Sequence, residues 1–176
     1  VFFTTDHPNG APFTAYPEIF ALLMSRQARE KAMKGLSKRA LALSTLPGLT
    51  REYTLADIAI MTRAAPAKLL GLKDRGHLGA GALADVAVYR KGDDIAAMFR
   101  RAAFVLKNGE RVVEDGNVTN WRWGKALRLK PEPDRAMVKR LDAYHQQRYG
   151  LSLDGFVFPD AAIEREQPFG EVPCNN

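Results

Sequence analysis

Residues Gly76–Tyr89, GHLGAGALADVAVY, mark the place where the chain changes character. Three glycines within six residues give way to an alternating small and β-branched run over Ala84–Tyr89, which predicts a turn feeding a strand. Downstream, Ala102–Lys107 and Glu110–Glu114 flank Asn108-Gly109, and that pairing predicts a β-hairpin. Upstream the pattern is helical. Pro17 suits a first helical turn, and Ile19, Phe20, Leu23 and Met24 follow as an apolar stripe. Ala28–Leu43 continues in the same style, with Gly35 as a break. Thr54 and Asp57 form a capping-box pair that opens a helix over Leu55–Arg63, and Ala65-Pro66 restarts a short helix stopping at Gly71.

At the start, Val1–Thr5 has the composition of a short buried strand and runs into the loop Asp6–Gly10, DHPNG. Towards the end, Pro131 and Pro133 mark a boundary. An amphipathic helix follows over about Asp134–Tyr149, with Met137, Val138, Leu141, Tyr144 and Tyr149 on one face and Gly150 as its stop. From Asp154 onward no period is visible. The expectation is a mixed α and β chain whose helical first half and β second half are pieces of two structural units.

At 176 residues and 46% apolar composition the chain can bury a core, which excludes wholesale disorder. No apolar run approaches the roughly 18 residues of a membrane span, and no signal-peptide pattern opens the sequence. The single Cys174 allows no internal disulfide, which predicts a reducing, cytoplasmic setting. Lys and Arg exceed Asp and Glu by 26 − 20 = +6, an excess suited to an acidic partner or substrate.

Few residues offer chemistry. The glycines of Gly76–Gly81 match neither GxGxxG nor GxxxxGK[ST] and read as a structural turn. The basic pairs Lys38-Arg39 and Arg100-Arg101, and Trp121-Arg122-Trp123, are interspersed with acids and read as a solvated surface, so no nucleic-acid partner is expected. His7, His77 and His145 are not spaced as a self-contained metal site, and Cys174 sits in a polar tail. Asp6 stands apart because it ends an apolar strand and begins a Pro-Asn-Gly loop. Catalytic carboxylates of α/β barrels occupy such positions, although an aspartate opening a turn is the plainer reading of the local features.

The wider pattern shifts that balance. Tyr53–Leu72, YTLADIAIMTRAAPAKLLGL, followed by Gly76–Tyr89 and the Asn108-Gly109 hairpin, resembles the segment after the metal barrel in the amidohydrolase superfamily. There a helix ending P-A-x-x-L-G-L leads into a G-x-L-x-x-G-x-x-A-D strand. The opening residues Thr4–Thr14, TTDHPNGAPFT, with Tyr16, Pro17 and Glu18, resemble the strand-eight motif of the amidohydrolase-type subunit of formylmethanofuran dehydrogenase. They are similar as well to its counterpart in bacterial formyltransferase/hydrolase complexes. The ending at Tyr149–Leu153 is similar too, while Ala11 stands where that family carries a second glycine. The resemblance covers nearly the whole chain but only the last third of such a subunit.

This resemblance implies an α/β fold: the C-terminal part of a metal-dependent (β/α)8 barrel, strands of a small β-sandwich, and a C-terminal helical extension. The implied division is 1–75 for the last barrel strand and its helices, 76–130 for the sandwich portion and 131–176 for the final helix and tail. Asp6 is implied as metal ligand and general base, with His7 in a supporting role. The implied cofactor is a divalent metal, zinc and binuclear, with most ligands outside this chain. The implied reaction hydrolyses or reversibly forms an N-formyl methanofuran-type carrier, whose glutamyl tails would suit the basic charge. The implied partners are the N-terminal remainder, other complex subunits and the carrier, and the piece alone is expected to be inactive. A dihydroorotase- or hydantoinase-like activity, and a non-catalytic assembly protein of the same fold, are the alternatives.

Overall fold

The computed structural model describes residues 4–130, 133–157 and 169–173. Its contacts divide the chain into two units, residues 1–122 and 123–176.

The first unit begins with helices α1 (Tyr16–Met24), α2 (Arg26–Met33) and α3 (Lys38–Ala42). Pro17 occupies the first turn of α1, as the pattern predicts. Ser25 and Ser37 start the next two helices by accepting the backbone N–H of Ala28 and Ala40 at 3.1 and 3.2 Å. Thr4–Asp6 are not paired in a sheet, and residues 1–3 of the expected opening strand lie outside the described residues.

Arg29 on α2 is 1% exposed. Its guanidinium donates to the carbonyls of Leu22, Leu23, Leu49 and Arg51 at 2.7–3.3 Å. Two of these acceptors, Leu22 and Leu23, lie near the end of α1, where the helix dipole favours a cation, and the Leu23 carbonyl also accepts the Tyr53 N–H at 3.0 Å. One side chain thereby staples the returning loop to the first helical pair.

Thr54 and Asp57 form the expected capping box around α4 (Leu55–Ala59). Where the sequence suggests two helices, the structure joins α4 through a π turn (Ile60–Ala64) directly to α5 (Ala65–Leu69). Pro66 explains the π turn. It has no N–H for the Thr62 carbonyl four residues back, and its ring would clash there. The Ala65 N–H reaches back to Ile60, and Arg63 Nη1 donates to the Thr62 carbonyl at 2.9 Å. Ile58, Met61 and Ala67 are the buried residues of this helix.

Gly76 has φ +81°, and an added Cβ would lie 2.5 Å from Ala67 Cβ and 3.0 Å from the Arg63 carbonyl. Only glycine lets the turn approach the helix that closely. Beyond it β1 (Val86–Tyr89), β2 (Ala102–Lys107), β3 (Glu110–Glu114) and β4 (Asn117–Val118) form an antiparallel sheet in chain order, and α6 (Ile95–Arg100) connects β1 to β2. Asn108 and Gly109, at φ +51° and +81°, make the predicted two-residue turn. Asp85 secures it by accepting Lys107 Nζ at 2.6 Å and the Asn108 N–H at 2.8 Å.

The second unit pairs β5 (Ala126–Lys130) in parallel with β6 (Phe169–Pro173), and helix α7 (Arg135–Tyr149) lies between them in sequence. Asp134 caps α7, and Gly150 ends it in the left-handed conformation. Asp142 then holds the following turn by accepting Ser152 Oγ and the Leu153 N–H. The strand at Phe169–Pro173 corrects the reading of the tail as patternless: five residues pairing in parallel with a distant partner show no period of their own. Among the described residues no helix is long and apolar enough to cross a membrane.

Two measurements on the full-length protein test this account. Arg29→Met removes the guanidinium donor from four carbonyls, of which Leu23 keeps the Tyr53 N–H, and should cost about 3 kcal/mol or more in thermal unfolding. Burial pushes the Asp85 carboxyl up, but the hydrogen bonds from Lys107 and Asn108 outweigh it and hold its pKa below the ordinary 3.8. A depressed carboxylate stabilises the fold above its unfolded pKa and ceases to do so as pH falls through its folded value. Asp85→Asn should therefore lose roughly 1–2 kcal/mol at neutral pH, and its deficit against the parent should close below pH 3.8.

Candidate functional site

The candidate site is the loop around Asp6, which its own backbone closes. The Gly10 N–H donates to the Asp6 carbonyl at 2.8 Å and the Ala11 N–H to the Thr5 carbonyl at 2.9 Å. A Cβ on Gly10 would lie 2.5 Å from the Thr5 carbonyl oxygen, so this closure requires glycine. Asp6 sits at φ +53°, in the left-handed region that aspartate tolerates better than most residues. Its N–H donates to Thr4 Oγ1 at 3.2 Å.

Thr5 is 6% exposed, and its hydroxyl finds no partner among the described residues. Asp6 next to it is exposed. The Asp6 carboxylate forms no ion pair or hydrogen bond with any described residue, so both oxygens are available.

An aromatic series anchors the loop. His7 stacks on Phe13 with ring centroids 4.1 Å apart, and Phe13 faces Tyr16 at 6.4 Å. Tyr16 tilts against Phe20 at 5.8 Å, Phe20 meets Phe99 edge-on at 4.8 Å, and Phe99 meets Tyr89 at 5.2 Å. A cavity of about 860 Å³ runs beside this series, lined by Thr4, Phe13, Tyr16, Phe20, Arg63 and Arg100 among others. Asp6 does not line it. Arg100 pairs with Glu18 across the packed helices α1 and α6, and that hydrogen bond holds the Glu18 carboxyl below the usual range.

The other candidates resolve into structure. His77 is held at both ring nitrogens: Nδ1 accepts the Gly79 N–H at 3.1 Å, and Nε2 lies 3.1 Å from the Lys73 carbonyl, which assigns the proton to Nε2. His145 packs between Tyr149 and Phe156 at 5.3 and 5.8 Å. Arg101 donates to the Asp115 carbonyl, and Arg122 pairs with Glu110. Cys174 lies outside the described residues. Sequence reasoning singles out Asp6 and His7 but passes over Thr4 and Gly10. A hydroxyl two residues before the aspartate and a glycine four after it are the available signals.

No group of three or more His, Cys, Asp or Glu side chains among the described residues is placed to hold a metal. Asp6 nonetheless fits a metal as one ligand among several. It is an exposed carboxylate with free oxygens on a loop pinned by its backbone, the donor type that zinc and harder divalent ions accept. His7, stacked on Phe13, is placed to support the loop.

Comparison with known proteins identifies the family of the chain. The amidohydrolase family model matches residues 1–119. The chain is 51% identical over 172 residues to the subunit designated A of the formyltransferase/hydrolase complex Fhc of Methylorubrum extorquens, a match covering 97% of this chain and 31% of that protein. It is 44% identical over 172 residues to protein FwdA of Methanocaldococcus jannaschii, covering 91% of this chain and 30% of that one. A chain in the crystal structure of the Methylorubrum extorquens FhcABCD complex with methylofuran superposes with a TM-score of 0.82 at 49% identity, covering 100% of this chain and 32% of its own length. The chain thus spans about a third of the length of the curated relatives it matches. It belongs to the amidohydrolase family.

Proposed function

We propose that this chain is the C-terminal third of the metal-dependent subunit of a formyltransferase/hydrolase-type complex. That subunit hydrolyses, or reversibly forms, the N-formyl bond of a methanofuran-type one-carbon carrier in the cytoplasm. The observation that carries the proposal is the Asp6 loop: a carboxylate without a partner among the described residues, held by its own backbone, in a chain 51% identical to the corresponding part of such a complex.

In this reading residues 1–75 supply the last strand of a (β/α)8 barrel and its following helices, and β1–β4 form one part of a β-sandwich. No described residue of β1–β4 is fully buried, which supports a second layer from the remainder of the protein, since a sheet this apolar needs a covering face. Histidines and a carboxylated lysine from earlier strands, all outside this chain, would complete a binuclear zinc site with Asp6. Such a site supplies Lewis acidity at the formyl oxygen and a nucleophile at neutral pH.

The work of this chain's own residues is proton transfer. One Asp6 oxygen accepts the proton released as water adds to the formyl carbon. The same oxygen returns it to the nitrogen as the C–N bond breaks, giving formate and the free amine. The loop's backbone hydrogen bonds keep that oxygen in place through both transfers. In the full-length, assembled protein, Asp6→Ala should lower formate release from the N-formyl carrier by about 10²- to 10⁴-fold, the usual contribution of a positioned acid-base group. Its metal content should fall as well. Unchanged activity in that variant would end the catalytic assignment.

A further inference from the structure

Asp6 is one of three non-glycine residues at positive φ among the described residues, and it is the one outside the β-hairpin turns. Such a backbone costs on the order of 1 kcal/mol or more and persists where its surroundings hold it. Both of its peptide groups are held. The carbonyl accepts the Gly10 N–H at 2.8 Å, and the N–H donates to Thr4 Oγ1 at 3.2 Å. The first bond belongs to the loop closure and uses only backbone. The second depends on one hydroxyl.

We infer that Thr4 is the positioning residue of the site, its hydroxyl holding the Asp6 peptide so that the carboxylate leaves the loop in a fixed direction. The inference rests on the reading of Asp6 as the reactive carboxylate. In a left-handed residue the Cα–Cβ bond points where an extended residue's would not, so rotation of the Asp6 peptide swings both carboxylate oxygens. Thr4 is exposed and lines the neighbouring cavity, outside the buried core, so the shape of its side chain is not what the fold requires of it. What distinguishes it there is an oxygen able to accept an N–H. Serine supplies that oxygen and valine does not, at nearly the same volume as threonine.

The test uses the full-length protein in its complex, with Thr4→Val, Thr4→Ser and Asp6→Ala compared for kcat, KM, thermal unfolding and metal retained after dialysis against a weak chelator. Thr4→Val should lower kcat by roughly tenfold or more, keep KM within about twofold and shed metal faster, in the range by which supporting groups of metal sites act. Thr4→Ser should restore both kcat and metal retention. Equal losses in the Val and Ser variants, or a Val variant with parental kcat and metal content beside an inactive Asp6→Ala, would overturn the role of Thr4 while leaving Asp6 in place. An active Asp6→Ala would instead remove the reading on which the inference stands.

Discussion

Phe20 meets Phe99 edge-on at 4.8 Å, and through that contact the Asp6 loop is tied to the antiparallel sheet. On one side the series runs through Tyr16 and Phe13 to His7, the neighbour of Asp6; on the other it reaches Tyr89 at the end of β1. Edge-to-face aromatic pairs add on the order of 0.5–1.5 kcal/mol beyond burial, and rigid rings transmit position well. Phe20 is also the buried residue of α1, so the same side chain joins core packing to the placement of the site. The Arg100–Glu18 pair spans the same helices, but it is exposed and adds orientation more than stability.

Two polar arrangements complete the frame, and they differ in kind. Arg29 is buried without a counter-ion among its named partners, and carbonyl dipoles satisfy four of its donor contacts while Nε has no partner among the described residues. Breaking this arrangement strands polar groups on both sides, the costly case for a buried charge. Asp85 is partly exposed and instead works locally, fixing the hairpin turn through Asn108 and Lys107. The first holds helices and loop together; the second sets register in the sheet.

Much of the first unit is legible in the sequence because its signals are local. A capping box needs residues three apart, and an Asn-Gly turn needs two adjacent residues of positive φ, so Thr54–Asp57 and Asn108-Gly109 announce themselves. The continuity of α4 and α5 is not legible, because Pro66 normally stops a helix, whereas a π turn and the Arg63 side chain accommodate it here. β5 and β6 escape a sequence reading because each becomes a strand only through the other, some forty residues away. At the site, Asp6 and His7 are legible as a motif. Thr4 and Gly10 are not, because their roles are hydrogen-bond geometry rather than residue type.

The sequence by itself determined the helical and β halves, the turns, the family likeness and the aspartate at the candidate position. Each of these rests on patterns within a few residues or on motif order. Only the tertiary structure decided that the Asp6 carboxylate has no partner among the described residues, that its peptide is held by Thr4 and Gly10, and that Arg29 is buried among carbonyls. It also decided that Gly76 is required by contact with Ala67. These facts depend on which atoms meet across the fold, and a carboxylate or guanidinium has no assigned partner until the chain has closed around it.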